Sequence, residues 1–134
     1  MTARMDGRFG QYVDYVDIAL EALQTAPREL FEKMVRFLID QFHQREIELQ
    51  RLSLELDDMH GMPIEDLDGF YDVMQEGIDD IRLFKRKLET IRTQAPILSE
   101  LYNQADRLHT AMVQYMDRMG QLEVRILHEQ RRSA

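Results

Sequence analysis

Aspartate and histidine recur at a spacing that could bind a metal ion. The motif Asp-x-x-His occurs three times, and a separation of three residues places both side chains on one face of a helix. Carboxylate and imidazole groups are common ligands of transition metals. The pairs are Asp40 with His43, Asp57 with His60, and Asp106 with His109. A carboxylate/histidine metal-binding bundle is therefore one alternative interpretation, and it requires Asp40, His43, Asp106 and His109 to converge in the interior.

The same pairs differ from the ligand pattern of di-iron helical bundles. Those proteins use Glu-x-x-His on two helices and a further Glu on each of two others, whereas this sequence has no Glu-x-x-His. His43 lies beside the apolar stripe of its helix and Asp40 lies farther toward solvent. We therefore predict no metal and no cofactor.

Residues suited to nucleophilic catalysis are scarce. Cysteine is absent, and the two serines before the C-terminal end, Ser53 and Ser99, lie on predicted helices. No G-x-S-x-G elbow and no phosphate-cradling glycine loop occur. Carboxylates on convex helix faces stay solvated, so their pKa values have no cause to rise. We predict that the protein is not an enzyme.

Acidic residues concentrate in the middle of the chain. Ten acids and no lysine or arginine lie between residues 52 and 81. Asp66 and Asp68, followed by Gly69, imitate the centre of an EF-hand loop, but Ile64 and Gln75 then occupy its first and last ligand positions, which excludes calcium binding of that kind. The cluster is better explained as an acid-rich helix start with a negative surface. We expect a basic partner protein to contact it through Asp66, Asp68, Asp72, Glu76, Asp79 and Asp80.

Methionine and tyrosine cluster in one predicted helix. Methionine is frequent for this length, with nine residues, and its flexible side chain suits adaptable docking surfaces as well as irregular cores. Met112 and Met119 lie on the apolar seam, while Met116 widens it. We expect an apolar groove that contacts an amphipathic partner. Its residues are Tyr102, Met112, Tyr115, Met116 and Met119.

The elements that carry these residues are helices. From Leu98 to Ile126, nine apolar residues follow an unbroken 3-4 spacing, which predicts a long helix packed lengthwise against partners. Proline breaks helix interiors and is tolerated in a first turn, so Pro27, Pro63 and Pro96 divide the chain. The predicted helices cover residues 8–24, 27–59, 64–94 and 97–130.

Short connections between these helices favour antiparallel neighbours. The predicted fold is all-α: residues 1–134 form a single domain, an antiparallel up-down bundle of three long helices plus a shorter N-terminal helix, with coiled-coil-like packing. The short helix covers its groove only in part, so we expect a homodimer.

The charge and apolar content of the chain limit the classes of function that it can have. The net charge is −8 with 25 acids against 17 bases, which disfavours direct binding to nucleic acid or to an anionic membrane. No stretch approaches the roughly 18 apolar residues of a membrane span, and we expect a cytoplasmic protein. The preferred interpretation is a non-catalytic interaction protein, such as an adaptor, assembly factor or chaperone. A helical regulator of a nucleic-acid process, acting through Arg125, Arg131 and Arg132, is a further alternative.

Overall fold

The computed structural model describes residues 27–56 and 64–133, with positions 21 and 25; at 64–68, 70, 130 and 133 it describes the backbone alone. Three α-helices and one 3₁₀ turn lie wholly within this part of the chain. They are α1 (Arg28–Glu55), α2 (Ile64–Ile91), the 3₁₀ turn (Arg92–Gln94) and α3 (Pro96–Ser133). The predicted all-helical fold with three long helices packed together is thus confirmed for the described residues. The predicted N-terminal helix 8–24 lies outside them, apart from position 21.

The junction between α2 and α3 differs from the prediction. Helix α2 ends at Ile91, short of residue 94, because residues 92–94 tighten into the 3₁₀ turn. Ala95 is then extended, with φ −153° and ψ 138°, and this bend reverses the chain. Pro96 begins α3, as its missing amide hydrogen allows in a first turn. At its far end α3 extends to Ser133, beyond the predicted residue 130.

Helix α3 is the element on which the other two pack. Every residue of the predicted seam is buried, which confirms its 3-4 spacing as the core-facing side of the helix. These residues are Leu98, Leu101, Ala105, Leu108, Met112, Tyr115, Met119, Leu122 and Ile126. At about 1.5 Å per residue the seam is long enough for α1 and α2 to cover it side by side.

The order of the side-chain contacts gives the helix directions. Along α1 and α3, Arg36 lies near Glu100 and Arg118 near Ser53 further on, so these helices run in the same direction. Along α2 and α3 the order reverses: Lys85 lies near Asp106, and an earlier residue of α2, Tyr71, lies near Gly120 of α3. Helix α2 therefore runs opposite to the other two.

The core contributions of α1 and α2 follow the same apolar periodicity. Those of α1 include Phe31, Val35, Leu38, Phe42 and Leu49, and those of α2 include Met74, Ile78, Ile81, Phe84, Leu88 and Ile91. None of the described helices is long and apolar enough to cross a membrane.

Candidate functional site

The four candidate metal ligands lie in two separate places. On α1, Asp40 is exposed and His43 Nδ1 lies 3.5 Å from Glu46 Oε1. On α3, Asp106 and His109 instead face α2, because the side of α3 that bears them packs against that helix. The convergence that the metal interpretation requires is therefore not formed. Among the residues that the structure describes, no three acidic or histidine side chains gather around a position for a metal ion.

A polar cluster joins α2 to α3 where the metal pair was expected. The Lys85 ammonium donates a hydrogen bond of 2.6 Å to Asp106 Oδ1, and its Nζ lies 3.2 Å from His109 Nδ1. The hydrogen bond from Lys85 is the main reason why the pKa of Asp106 is lowered. A cation that donates to both side chains takes the place that a metal ion would need.

His109 in this cluster has a lowered pKa, which favours its neutral form. Burial is the main cause that lowers its pKa; the nearby Lys85 and Arg82 charges lower it further, against an opposing effect of Asp106. Because Lys85 donates to Nδ1, the imidazole proton belongs on Nε2. That Nε2 is buried and has no hydrogen-bond partner among the described residues. The side chain thus acts as an acceptor for Lys85.

A basic cleft of about 420 Å³ lies beside the cluster. Its lining comprises Arg82, Lys85, Arg86, Glu89, Arg92 and Tyr102. The Arg92 guanidinium carbon lies 4.5 Å from the centre of the Tyr102 ring and Lys85 Nζ lies 5.7 Å from it, both within the range of cation–π attraction. The spacing of Arg82, Lys85 and Arg86 along α2 could have indicated a shared side, but only the antiparallel packing of α3 brings Tyr102 to them.

The predicted methionine and tyrosine surface is mostly core. Met112, Tyr115 and Met119 are buried beneath α1 and α2, because the seam on which they lie is already covered by those helices. A partner cannot contact these three side chains in this arrangement. Met116 and Tyr102 are half-buried at the edge of the core and stay accessible in part.

The predicted acidic surface lies on the outside of α2. Asp72, Glu76 and Asp79 are exposed and Asp80 is half-buried. Asp79 Oδ1 accepts a 3.1 Å hydrogen bond from Gln75 and lies 4.0 Å from Arg82 Nη1. The side chains of Asp66 and Asp68 lie outside the described part of the structure.

Helix α1 carries an apolar surface that the sequence reasoning missed. Leu30 and Phe37 are 52% and 53% exposed, and Ile47 and Leu54 are 46% and 68% exposed. Each pair is separated by seven residues, or about two helical turns, so its members share a side of the helix. Met34, between Leu30 and Phe37, is half-buried. These positions lie outside the buried apolar stripe of α1, so the periodicity of that stripe does not indicate them.

A second cleft of about 570 Å³ runs between α1 and α3. Its lining comprises Gln50, Ser53, Leu54, Ala111, Gln114, Asp117, Arg118 and Gln121. Arg118 crosses one end, where Nη1 donates a 3.1 Å hydrogen bond to the Ser53 carbonyl oxygen. Three of its eight lining residues are glutamines, whose amide groups can both donate and accept hydrogen bonds and so suit contact with polar groups.

Comparison of the chain with protein-family models, with curated proteins and with solved structures finds no match.

Proposed function

We propose that the protein is a non-catalytic interaction module that binds a protein partner through α1. The observation that carries this proposal is the group of large apolar side chains on the outside of α1, above all Leu30 and Phe37, each about half exposed (52% and 53%). Scattered exposed apolar residues are common on protein surfaces. An aligned pair with a half-buried methionine between its members is a more specific feature.

The spacing of these residues matches the anchors used in helix recognition. Leu30, Met34 and Phe37 stand at i, i+4 and i+7, the periodicity by which one amphipathic helix contacts another or a groove. Phenylalanine and methionine supply large contact areas, and methionine adapts its shape to the partner. An apolar helix of another protein is therefore the occupant that we propose.

The polar groups of the bundle support a binding role over a catalytic one. Lys85, Asp106 and His109 engage one another, and burial of His109 Nε2 separates that atom from solvent. An enzyme would need a reactive group directed toward a substrate position. Adaptor, assembly factor and chaperone for a partner helix are the forms that this binding role can take.

Affinity capture from cells that express the protein tests this proposal. The full chain is compared with a double variant, Leu30→Glu with Phe37→Glu, and captured proteins are identified and reconstituted with purified chain. We expect one stoichiometric partner whose binding weakens by about 30-fold or more in the double variant, the loss typical of removing an anchor residue.

A matched control adds the same number of carboxylates elsewhere. Asn103→Glu with Arg107→Glu changes two exposed residues of α3 and should leave partner binding as in the unmodified chain. Equal capture by the α1 variant and the control variant, or no stoichiometric partner for the unmodified chain, would contradict the proposal.

A further inference from the structure

The outward face of α2 divides into an acidic half and a basic half. Its first half presents Asp72, Glu76 and Asp79 to solvent, and its second half presents Arg82 and Arg86, with Glu89 beyond them paired to Arg92. This order complements the helix dipole, which favours acids near the start and bases near the end. The dipole does not explain why the charges repeat on matched sides of the helix.

On α2, certain acidic and basic residues are separated by whole numbers of helical turns, so the two members of each pair lie on the same side of the helix. Glu76 and Lys87 are eleven residues apart, or about three turns, and Asp79 and Arg86 are seven apart, or about two turns. Glu76, Asp79 and Arg86 are exposed and Lys87 is half-buried. Each side of the outward face therefore carries an acid in its first half and a base in its second half.

We propose that α2 pairs with α2 of a second copy in antiparallel orientation, about a two-fold axis near Arg82. Such an axis places each side of one helix against the same side of the partner helix. It also makes the two helices run in opposite directions, so the acidic half of one faces the basic half of the other. Glu76 then faces Lys87 of the second copy, and Asp79 faces Arg86 of the second copy. Both pairs occur twice, so one surface is complementary to itself.

An apolar side chain lies at the centre of this surface. Leu83 is 42% exposed and stands between the acidic and basic halves. The proposed axis places Leu83 beside its own copy, with charged residues around it, which resembles the apolar centre and polar rim of protein interfaces. Charge complementarity along the helix thus favours a second copy as the occupant of this surface. In such a dimer, the basic partner expected for the acidic surface is the basic half of α2 of the second copy.

This pairing goes beyond the proposed function and uses another helix. The partner surface on α1 includes Leu30 and Phe37, whereas the pairing surface is on α2. A chain with Leu30→Glu and Phe37→Glu should therefore self-associate as the unmodified chain does. Partner binding through α1 and self-association through α2 can therefore be tested separately, and a negative result for one does not decide the other.

A charge exchange between two variants tests the pairing. One variant carries Glu76→Lys with Asp79→Lys, and the other carries Arg86→Glu with Lys87→Glu. Sedimentation equilibrium over a concentration series should show twice the 16.0 kDa chain mass for the unmodified protein. Each variant alone should dissociate at least about tenfold more readily, because like charges then face each other, and an equimolar mixture should restore the dimer.

The control is Glu29→Lys with Glu32→Lys, which makes the same change of charge at the same spacing on α1 and should leave the dimer intact. Added salt should weaken the dimer, because it screens the facing charges; a purely apolar interface would strengthen as the repulsion between two chains of charge −8 is screened. Circular dichroism melting checks that all variants fold. A monomer for the unmodified chain at low salt, unchanged dimers of both variants, or a mixture that stays monomeric would overturn the proposal.

Discussion

The aromatic rings of Phe42 and Phe84 meet edge to face, with centroids 5.0 Å apart and planes inclined at 76°. Phe42 belongs to α1 and Phe84 to α2, and both side chains are fully buried. Both helices pack along α3, so this ring contact joins them directly at the centre of the bundle. Edge-to-face pairs stabilise a fold beyond the burial of their apolar area.

Removing one of these rings should destabilise the protein strongly. We expect Phe42→Ala to lower the free energy of unfolding by about 3–5 kcal/mol, because it leaves a cavity between three helices and removes the ring pair. Urea unfolding followed by circular dichroism measures this change. Phe37→Ala is the matched control on the same helix: its ring is exposed, and the expected change is about 0.5 kcal/mol or less. Equal losses for the two variants would contradict the assignment of Phe42 to the core.

The stability of the bundle should fall as the pH drops through the usual pKa of histidine. The pKa of His109 is lowered in the folded state, so below about pH 6.5 the unfolded chain binds a proton that the folded chain does not. The free energy of unfolding therefore decreases from pH 6.5 down to the lowered pKa of His109. Below that value both states are protonated and the contribution of His109 stays lost.

Urea midpoints measured at several values between pH 8 and pH 5 test this dependence. His109→Gln removes the titrating group and should flatten the curve across the window below pH 6.5. Thr110→Gln, which replaces an exposed, non-titrating residue of α3 with the same glutamine, should leave the curve as in the unmodified chain. A curve with the same slope for His109→Gln would show that another group causes it.

Gly120 and Tyr71 should show coupled effects on stability. A Cβ at position 120 would lie 2.5 Å from the Tyr71 hydroxyl oxygen, which is the far end of a flexible side chain. Gly120→Ala gains about 1 kcal/mol of helix propensity, and displacement of the hydroxyl offsets part of this gain. In a chain with Tyr71→Phe, which lacks that hydroxyl, Gly120→Ala should recover the full gain. A double-mutant cycle by urea unfolding measures the coupling, and strict additivity would contradict the close approach.

The buried seam of α3 could be predicted because its periodicity fits only one side of one helix. Nine apolar residues at 3-4 spacing define a single side of a helix, and burial of that side is the only way to remove it from water. The helix starts and ends were less predictable, since residues 92–94 differ from an α-helix only in the hydrogen bonds of one turn.

Features that depend on the relative positions of two helices could not be predicted. The spacing of Asp106 and His109 on one side of a helix is visible in the sequence. Lys85, which contacts both, lies on another helix and reaches them only because of the register of α2 against α3. For the same reason Tyr115 was expected in a docking surface although α1 and α2 cover it. Phe37 is the converse case, since local spacing does not reveal which apolar side chains stay uncovered.

Photo-crosslinking from position 37 in cells tests directly whether a partner protein binds through α1. A benzophenone analogue of phenylalanine replaces Phe37 in the full chain, and the same analogue at Arg107, exposed on α3, serves as the control position. After irradiation we predict one discrete adduct with another protein from position 37, lost when Leu30→Glu is added, and no equivalent adduct from position 107. Adduct formation from position 37 that does not exceed that from position 107, or that is unaffected by Leu30→Glu, would contradict the account.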